Sequence, residues 1–139
     1  MLASITSSGY RIVLLIHIAS VVLAFGPNFV GPILRRNGAT NLGMTKMSRA
    51  VQLPSIAITF LSGILLVVLS DEVWSFEKPW ISTAFLVTIA VGVLLFLLAG
   101  AYERAETDKS AEKLVGMYSG IMHLLLVVGL VMMIWKPGQ

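Results

Sequence analysis

The ten basic and seven acidic residues of this 139-residue chain all fall outside four apolar runs: Ile12 to Leu34, Ala50 to Ser70, Pro79 to Tyr102 and Leu114 to Trp135. A helix needs about 20 uncharged residues to cross roughly 30 Å of hydrocarbon, and each run supplies them. Only 12% of residues are charged, against about a quarter in soluble proteins. With a mean hydropathy of +0.89, a water-soluble core is untenable and a multi-pass membrane protein is expected.

The runs and their connections occupy nearly all of the chain, so residues 1–139 are read as one four-span transmembrane domain with helices at about 7–34, 50–70, 79–103 and 113–135. Short connections force neighbouring spans to run antiparallel, which gives an all-α, up-and-down four-helix bundle. Met1 to Tyr10 carries no lysine or arginine, and no small-residue cleavage pattern follows the first run, so an uncleaved helix is expected. The connections after the first and third spans hold Arg35, Arg36, Lys46, Arg49, Arg104, Lys109 and Lys113, whereas Arg11, Lys78 and Lys136 lie at the other face. The excess of basic residues marks the cytoplasmic side, so both termini are expected outside. Trp74, Trp80 and Trp135 all fall on that outer face, where an amphipathic indole prefers to sit.

Lipid gives helices little hydrophobic reason to associate, so packing faces should carry small residues. Ser55, Thr59 and Gly63, then Ala84, Thr88 and Gly92, and finally Gly116 and Gly120 recur at four-residue spacing, each row on one helical face. These rows are expected to pack helix on helix, with homodimerisation as the alternative use. Pro27 and Pro32 each remove a backbone donor and are expected to kink or loosen the first helix near Leu23 to Asn28, with Asn28 available to re-satisfy a freed group. The connection Arg35 to Arg49 has four positive charges and no negative one, a topology signal that also suits anionic headgroups. In the other inner connection, Asp108 or Ser110 is expected to cap the fourth helix. The carboxylates of Asp71 to Lys78 have no histidine beside them and are not assigned catalysis.

The chain has no cysteine, which removes disulfides, thiolate metal sites and cysteine nucleophiles together. Chemistry then rests on two histidines inside the runs, His17 and His123. An ionisable residue in a span is costly unless it faces the protein interior and finds a partner. Ser20 and Ala24 share the face of His17, and Ser119 and Gly120 share that of His123, leaving room beside each ring for a flat ligand. Neutral imidazole is a common axial ligand of haem iron. Counted at 1.5 Å per residue, the two histidines differ in depth, a mismatch that shrinks if the first helix begins near Thr6 or Ser7. The readings left open are haem ligation, a hydrogen bond across helices, and another metal or a proton relay. Met44 and Met47 raise copper as a rival, although they sit among basic residues that would repel a cation.

The stretch Tyr10 to Ile18, continuing to Phe25-Gly26, resembles the opening helix of small bacterial membrane proteins in the family of unknown function 2269. It is also similar to HemJ-type protoporphyrinogen oxidases and, more distantly, to the copper-resistance D family. Met47-Ser48-Arg49 leading to Pro54, then Leu61-Ser62-Gly63, resembles their second helix, and Trp135-Lys136-Pro137-Gly138 their lysine-proline ending. The resemblance implies a four-helix membrane protein in which His17 ligates a b-type haem. It departs from the enzymes in that Pro79 to Tyr102 contains no lysine, so porphyrinogen oxidation is not expected. The expected function is haem-b electron transfer or haem handling. The alternatives are a non-catalytic accessory subunit of a larger membrane complex and, third, copper handling. The lipid bilayer is the expected partner and nucleic acid is not.

Overall fold

The structure, a computed structural model, describes Ile5 and residues 7–137. Helix α1 spans Ser8–Arg36, α2 Asn41–Met47, α3 Leu53–Leu69, α4 Pro79–Ala105 and α5 Glu112–Trp135. A π-helical segment, Ser48–Gln52, joins α2 to α3 without a break. The result is four helices long and apolar enough to cross a membrane: Ser8–Arg36, Asn41–Leu69, Pro79–Ala105 and Lys109–Trp135. They run up and down, so the two described chain ends share one end of the bundle.

Local chemistry sets the boundaries. Ser7 starts α1 by accepting the Tyr10 N–H at 3.2 Å. At the other end Asn37 Nδ2 donates to the Ile33 carbonyl at 2.8 Å, and Gly38 supplies the left-handed turn with φ +94°. Thr40 then caps α2 by accepting the Gly43 N–H at 3.0 Å. Asp108 makes the comparable contact before α5, accepting the Ser110 N–H at 2.9 Å, while the Ser110 hydroxyl plays no capping part there. Ser70 closes the α3–α4 turn by accepting the Trp74 N–H and donating to the Val67 carbonyl.

One expectation about helix ends needs correction. The second span begins at Asn41, nine residues before Ala50, so most of the basic stretch Arg35 to Arg49 is helical. The charge of Arg49 does not break it because Glu103 of α4 pairs with Arg49 at 2.6 Å. Pro54 does not break it either. A proline in a continuous helix lacks its own N–H and crowds the carbonyl four residues back, and the ladder here widens by one residue to absorb it. Accordingly the Leu53 N–H bonds the Ser48 carbonyl. Helix α1 continues as α-helix through both Pro27 and Pro32.

Gln52, on that widened turn, supports α1 beside its proline. Its Nε2 donates to the Ala24 carbonyl at 2.8 Å and to Asn28 Oδ1 at 3.0 Å, while its Oε1 accepts from Ser48 at 2.8 Å. Asn28 in turn donates to the Met122 thioether at 3.5 Å. Asn28 therefore bonds side chains, and Gln52 is the residue that reaches the α1 backbone. All of these groups are buried, so a complete network is required: an unmet donor there would cost about 1–3 kcal/mol.

Helix α1 packs along α3, α4 along α5, and α3 joins the two pairs, whereas α1 and α5 barely touch. The core gathers Ala24, Val91, Leu95, Leu98 and Met122, each fully buried. Outward, Leu15, Leu61, Leu86, Phe96, Leu124 and Ile134 are each more than 60% exposed, an apolar coat suited to hydrocarbon.

The small-residue rows divide. Ser55 and Thr59 are buried against α1, and a Cβ on Gly92 would meet Ile56 of α3 at 3.8 Å. Gly116 and Gly120, expected to pack a helix as well, are exposed with nothing near their missing side chains. They line an open groove of about 840 Å³ between the C-terminal end of α1 and the N-terminal end of α5, which the Arg35–Glu112 pair bridges at 3.0 Å.

Candidate functional site

At the end of the bundle that carries the described chain ends, α1, α3, α4 and α5 diverge around a cavity of about 310 Å³. His17 lines it from α1, Gly63 from α3, Phe85 and Trp80 from α4, and Met133 from α5, with Lys136 following. Gly63 lies against the imidazole, and a Cβ there would make ordinary contacts at 3.5 Å with His17 Cε1 and 3.6 Å with Phe85. The walls are otherwise apolar, and no carboxylate lines the cavity among the described residues.

Hydrogen bonding fixes which His17 nitrogen is free. Nδ1 lies 2.9 Å from Ser62 Oγ. The serine has one hydroxyl hydrogen, and that hydroxyl already donates to the Ile58 and Thr59 carbonyls at 2.6 and 3.1 Å. With that hydrogen on the Ile58 carbonyl, the nearest acceptor, Ser62 Oγ accepts from His17 Nδ1–H and Nε2 keeps its lone pair, a tautomer assigned from the hydrogen-bond pattern. A serine holding one imidazole nitrogen while the other is open is the arrangement that orients a metal-ligating histidine.

Ser20 and Ala24, expected to leave room beside His17, do not face the cavity. Ser20 Oγ donates to the His17 carbonyl at 2.8 Å and lies 2.8 Å from Thr59 Oγ1. Ala24 is fully buried with Gln52 bonded at its carbonyl. That face of α1 is filled by α3, because serine and alanine let the two backbones approach closely.

His123 sits elsewhere. Its Nδ1–H donates to the Ser119 carbonyl one turn back at 2.7 Å, and its ring meets Phe29 edge to face at 4.7 Å. Phe29 is twelve residues beyond His17 on the same helix, about 18 Å along its axis. One iron therefore cannot take both histidines. The early start of α1 at Ser8 leaves this unchanged, because His123 falls against the C-terminal half of α1. Ser119 and Gly120 line the groove at the opposite end of the bundle, away from the His17 cavity.

The cavity lining includes three side chains of kinds that ligate haem iron, His17, Met133 and Tyr10, of which the first two also suit a soft metal. No cluster of three histidines or carboxylates occurs among the described residues. Met44 is buried beside Gly31, where its methyl group fills the space of the missing side chain, and so acts as packing.

Two features of the site escaped the sequence. Lys136 Nζ lies 4.3 Å from the Trp74 ring centroid and 5.6 Å from that of Trp80, forming a lid of one cation on two indoles. The indoles themselves meet edge to face at 5.2 Å. An aromatic belt predicts tryptophans at this level, yet says nothing about which cation they gather. Gln52 is the other, since a polar residue in an apolar run gave no sign of its partner on α1.

Fold and site together define an all-helical bundle of four span-length helices with an apolar cavity and one oriented imidazole. No protein-family model, curated protein or solved structure matches the chain.

Proposed function

We propose that this chain is an integral membrane protein of the bacterial inner membrane, with both termini outside, that holds a b-type haem in the outer cavity for electron transfer or haem handling. The observation that carries this reading is the His17–Ser62 pair, which presents an unprotonated Nε2 from an imidazole whose other nitrogen is fixed.

The residues fit such a group. His17 offers one axial nitrogen and Met133 a thioether in the same cavity, while the aromatic walls of Phe60 and Phe85 would exclude water. At about 310 Å³ the cavity lies at the lower end of ligand pockets, so only part of a porphyrin would be enclosed by it. When bound, haem would supply one-electron redox chemistry, with a potential set by its ligands and by burial. Among the protein's own residues, Ser62 holds the imidazole, Gly63 lies against it and Lys136 supplies a positive charge at the mouth. Porphyrinogen oxidation is not proposed, since α4 has no lysine. The detergent-purified protein should show a Soret band that His17→Ala removes and His123→Ala retains. A colourless wild-type protein that takes up no added haem would overturn the reading.

A second reading has its own observation. Gly116 and Gly120 form an exposed small-residue row beside a groove that α1 leaves open, the kind of face on which another transmembrane helix packs closely. On this reading the chain is a non-catalytic subunit of a larger membrane complex, or a homodimer. Substituting leucine at both glycines would release a stoichiometric companion, or a second copy, that co-purifies in mild detergent.

A further inference from the structure

The polar groups at the mouth of the outer cavity are mismatched in a definite direction. Lys136 rests on the faces of Trp74 and Trp80 and pairs with no acid among the described residues. The nearby connection carries Asp71, Glu72 and Glu77, all exposed, and none of them bridges to it. Its backbone is turned into the left-handed region, φ 43°, as the chain leaves α5, with its N–H bonded to the Met132 carbonyl at 3.0 Å. Beside it, the Trp80 Nε1–H is shielded from solvent and has no acceptor, alone in this among the side-chain polar atoms of the described residues. A cation and an unmet N–H donor thus stand together at an apolar cavity that contributes no carboxylate.

We propose that this mouth binds the carboxylate of an apolar ligand whose body fills the cavity. An ammonium and a single indole N–H suit the two oxygens of a singly charged carboxylate. A phosphate carries more charge and more acceptor oxygens than one ammonium and one N–H can meet, and no arginine lines the cavity to supply further donors. Binding moves Lys136 from the indole faces onto the carboxylate and gives Trp80 its missing acceptor. The inference uses the same cavity as the haem reading and extends it to the acidic side chains of a tetrapyrrole, but it depends on neither His17 nor iron. A long-chain fatty acid has the same chemistry and is the other source.

The test is quenching of tryptophan fluorescence in the full chain, purified in a neutral detergent. Titrants are metal-free protoporphyrin IX and its dimethyl ester, with palmitate and methyl palmitate as the second pair. Each acid that uses the site should bind at least about tenfold tighter than its ester, the scale expected for a hydrogen bond to a charged group. Lys136→Gln should remove the preference, Lys136→Arg should restore it and Trp80→Phe should weaken it with Trp74 still reporting. A preference shown by palmitate alone identifies a fatty acid and retains the inference. Equal affinities for acid and ester in both pairs, no binding of any probe, or a preference unchanged in Lys136→Gln overturns it. Iron protoporphyrin with His17→Ala is read separately by absorbance, so loss of the haem reading and loss of the carboxylate site give different results.

Discussion

His17 Nδ1 and Ser62 Oγ meet at 2.9 Å across the seam between α1 and α3, and the serine hydroxyl is already committed to backbone carbonyls. The direction of that bond follows from counting hydrogens, and it decides which imidazole nitrogen is available. Ser62→Ala should leave the bundle intact, at a cost of about 1 kcal/mol. It should weaken haem binding by roughly 10–100-fold, the usual effect of losing the partner that orients a ligating histidine. Haem titration of the variant, followed by absorbance, measures this.

Gly63 sets the space beside the same ring. A methyl group there makes ordinary contacts at 3.5 and 3.6 Å with His17 and Phe85, so Gly63→Ala should retain a ligand in the cavity. A leucine would fill the position of the imidazole edge. Gly63→Leu should elute as the wild type does on size exclusion, yet bind no haem.

Gln52 ties the π-helical turn to α1 through the Ala24 carbonyl and Asn28. Gln52→Ala leaves buried polar groups of Asn28 and Ser48 without a partner and should destabilise the protein by about 1–3 kcal/mol. Thermal unfolding in detergent should show this as a lowered midpoint. Glu112→Gln, which breaks an ion pair with a half-exposed carboxylate, should change stability by less than about 1 kcal/mol.

Asp108 is held below the ordinary carboxylate range by its hydrogen bonds from Ser110, side chain first and then backbone. Because the folded value is the lower one, the cap stabilises above the unfolded pKa of about 3.9 and its contribution fades as pH falls through the folded value. The gap in melting temperature between wild type and Asp108→Ala should therefore be constant near neutrality and should close on acidification below pH about 4. A gap that widened instead would contradict the assignment.

How much of this was legible in the chain depended on the kind of signal. The four spans follow from where charge is absent, because no other arrangement hides so long an apolar run. The early start at Asn41 was hidden because Lys46 and Arg49 resemble a solvated linker until Glu103 is placed opposite Arg49. Pro54 lies inside the expected second helix, and the widened turn that absorbs it leaves no separate mark in the sequence. The histidines show the limit most clearly. Counting along each helix gives a depth within that helix alone, so it could not reveal that His123 meets Phe29 while His17 meets Ser62. Likewise the spacing of Gly116 and Gly120 marks a face without saying whether this chain covers it.

The central claim is that His17 presents a free Nε2 to a haem in the outer cavity. The most direct measurement is the oxidised and reduced absorption spectrum of the detergent-purified protein and of His17→Ala, each with and without added haem. The account predicts a Soret band and reduced-state visible bands in the wild type, both lost in His17→Ala and kept in His123→Ala. A wild-type protein with no haem spectrum, or one whose spectrum survives in His17→Ala, would contradict it.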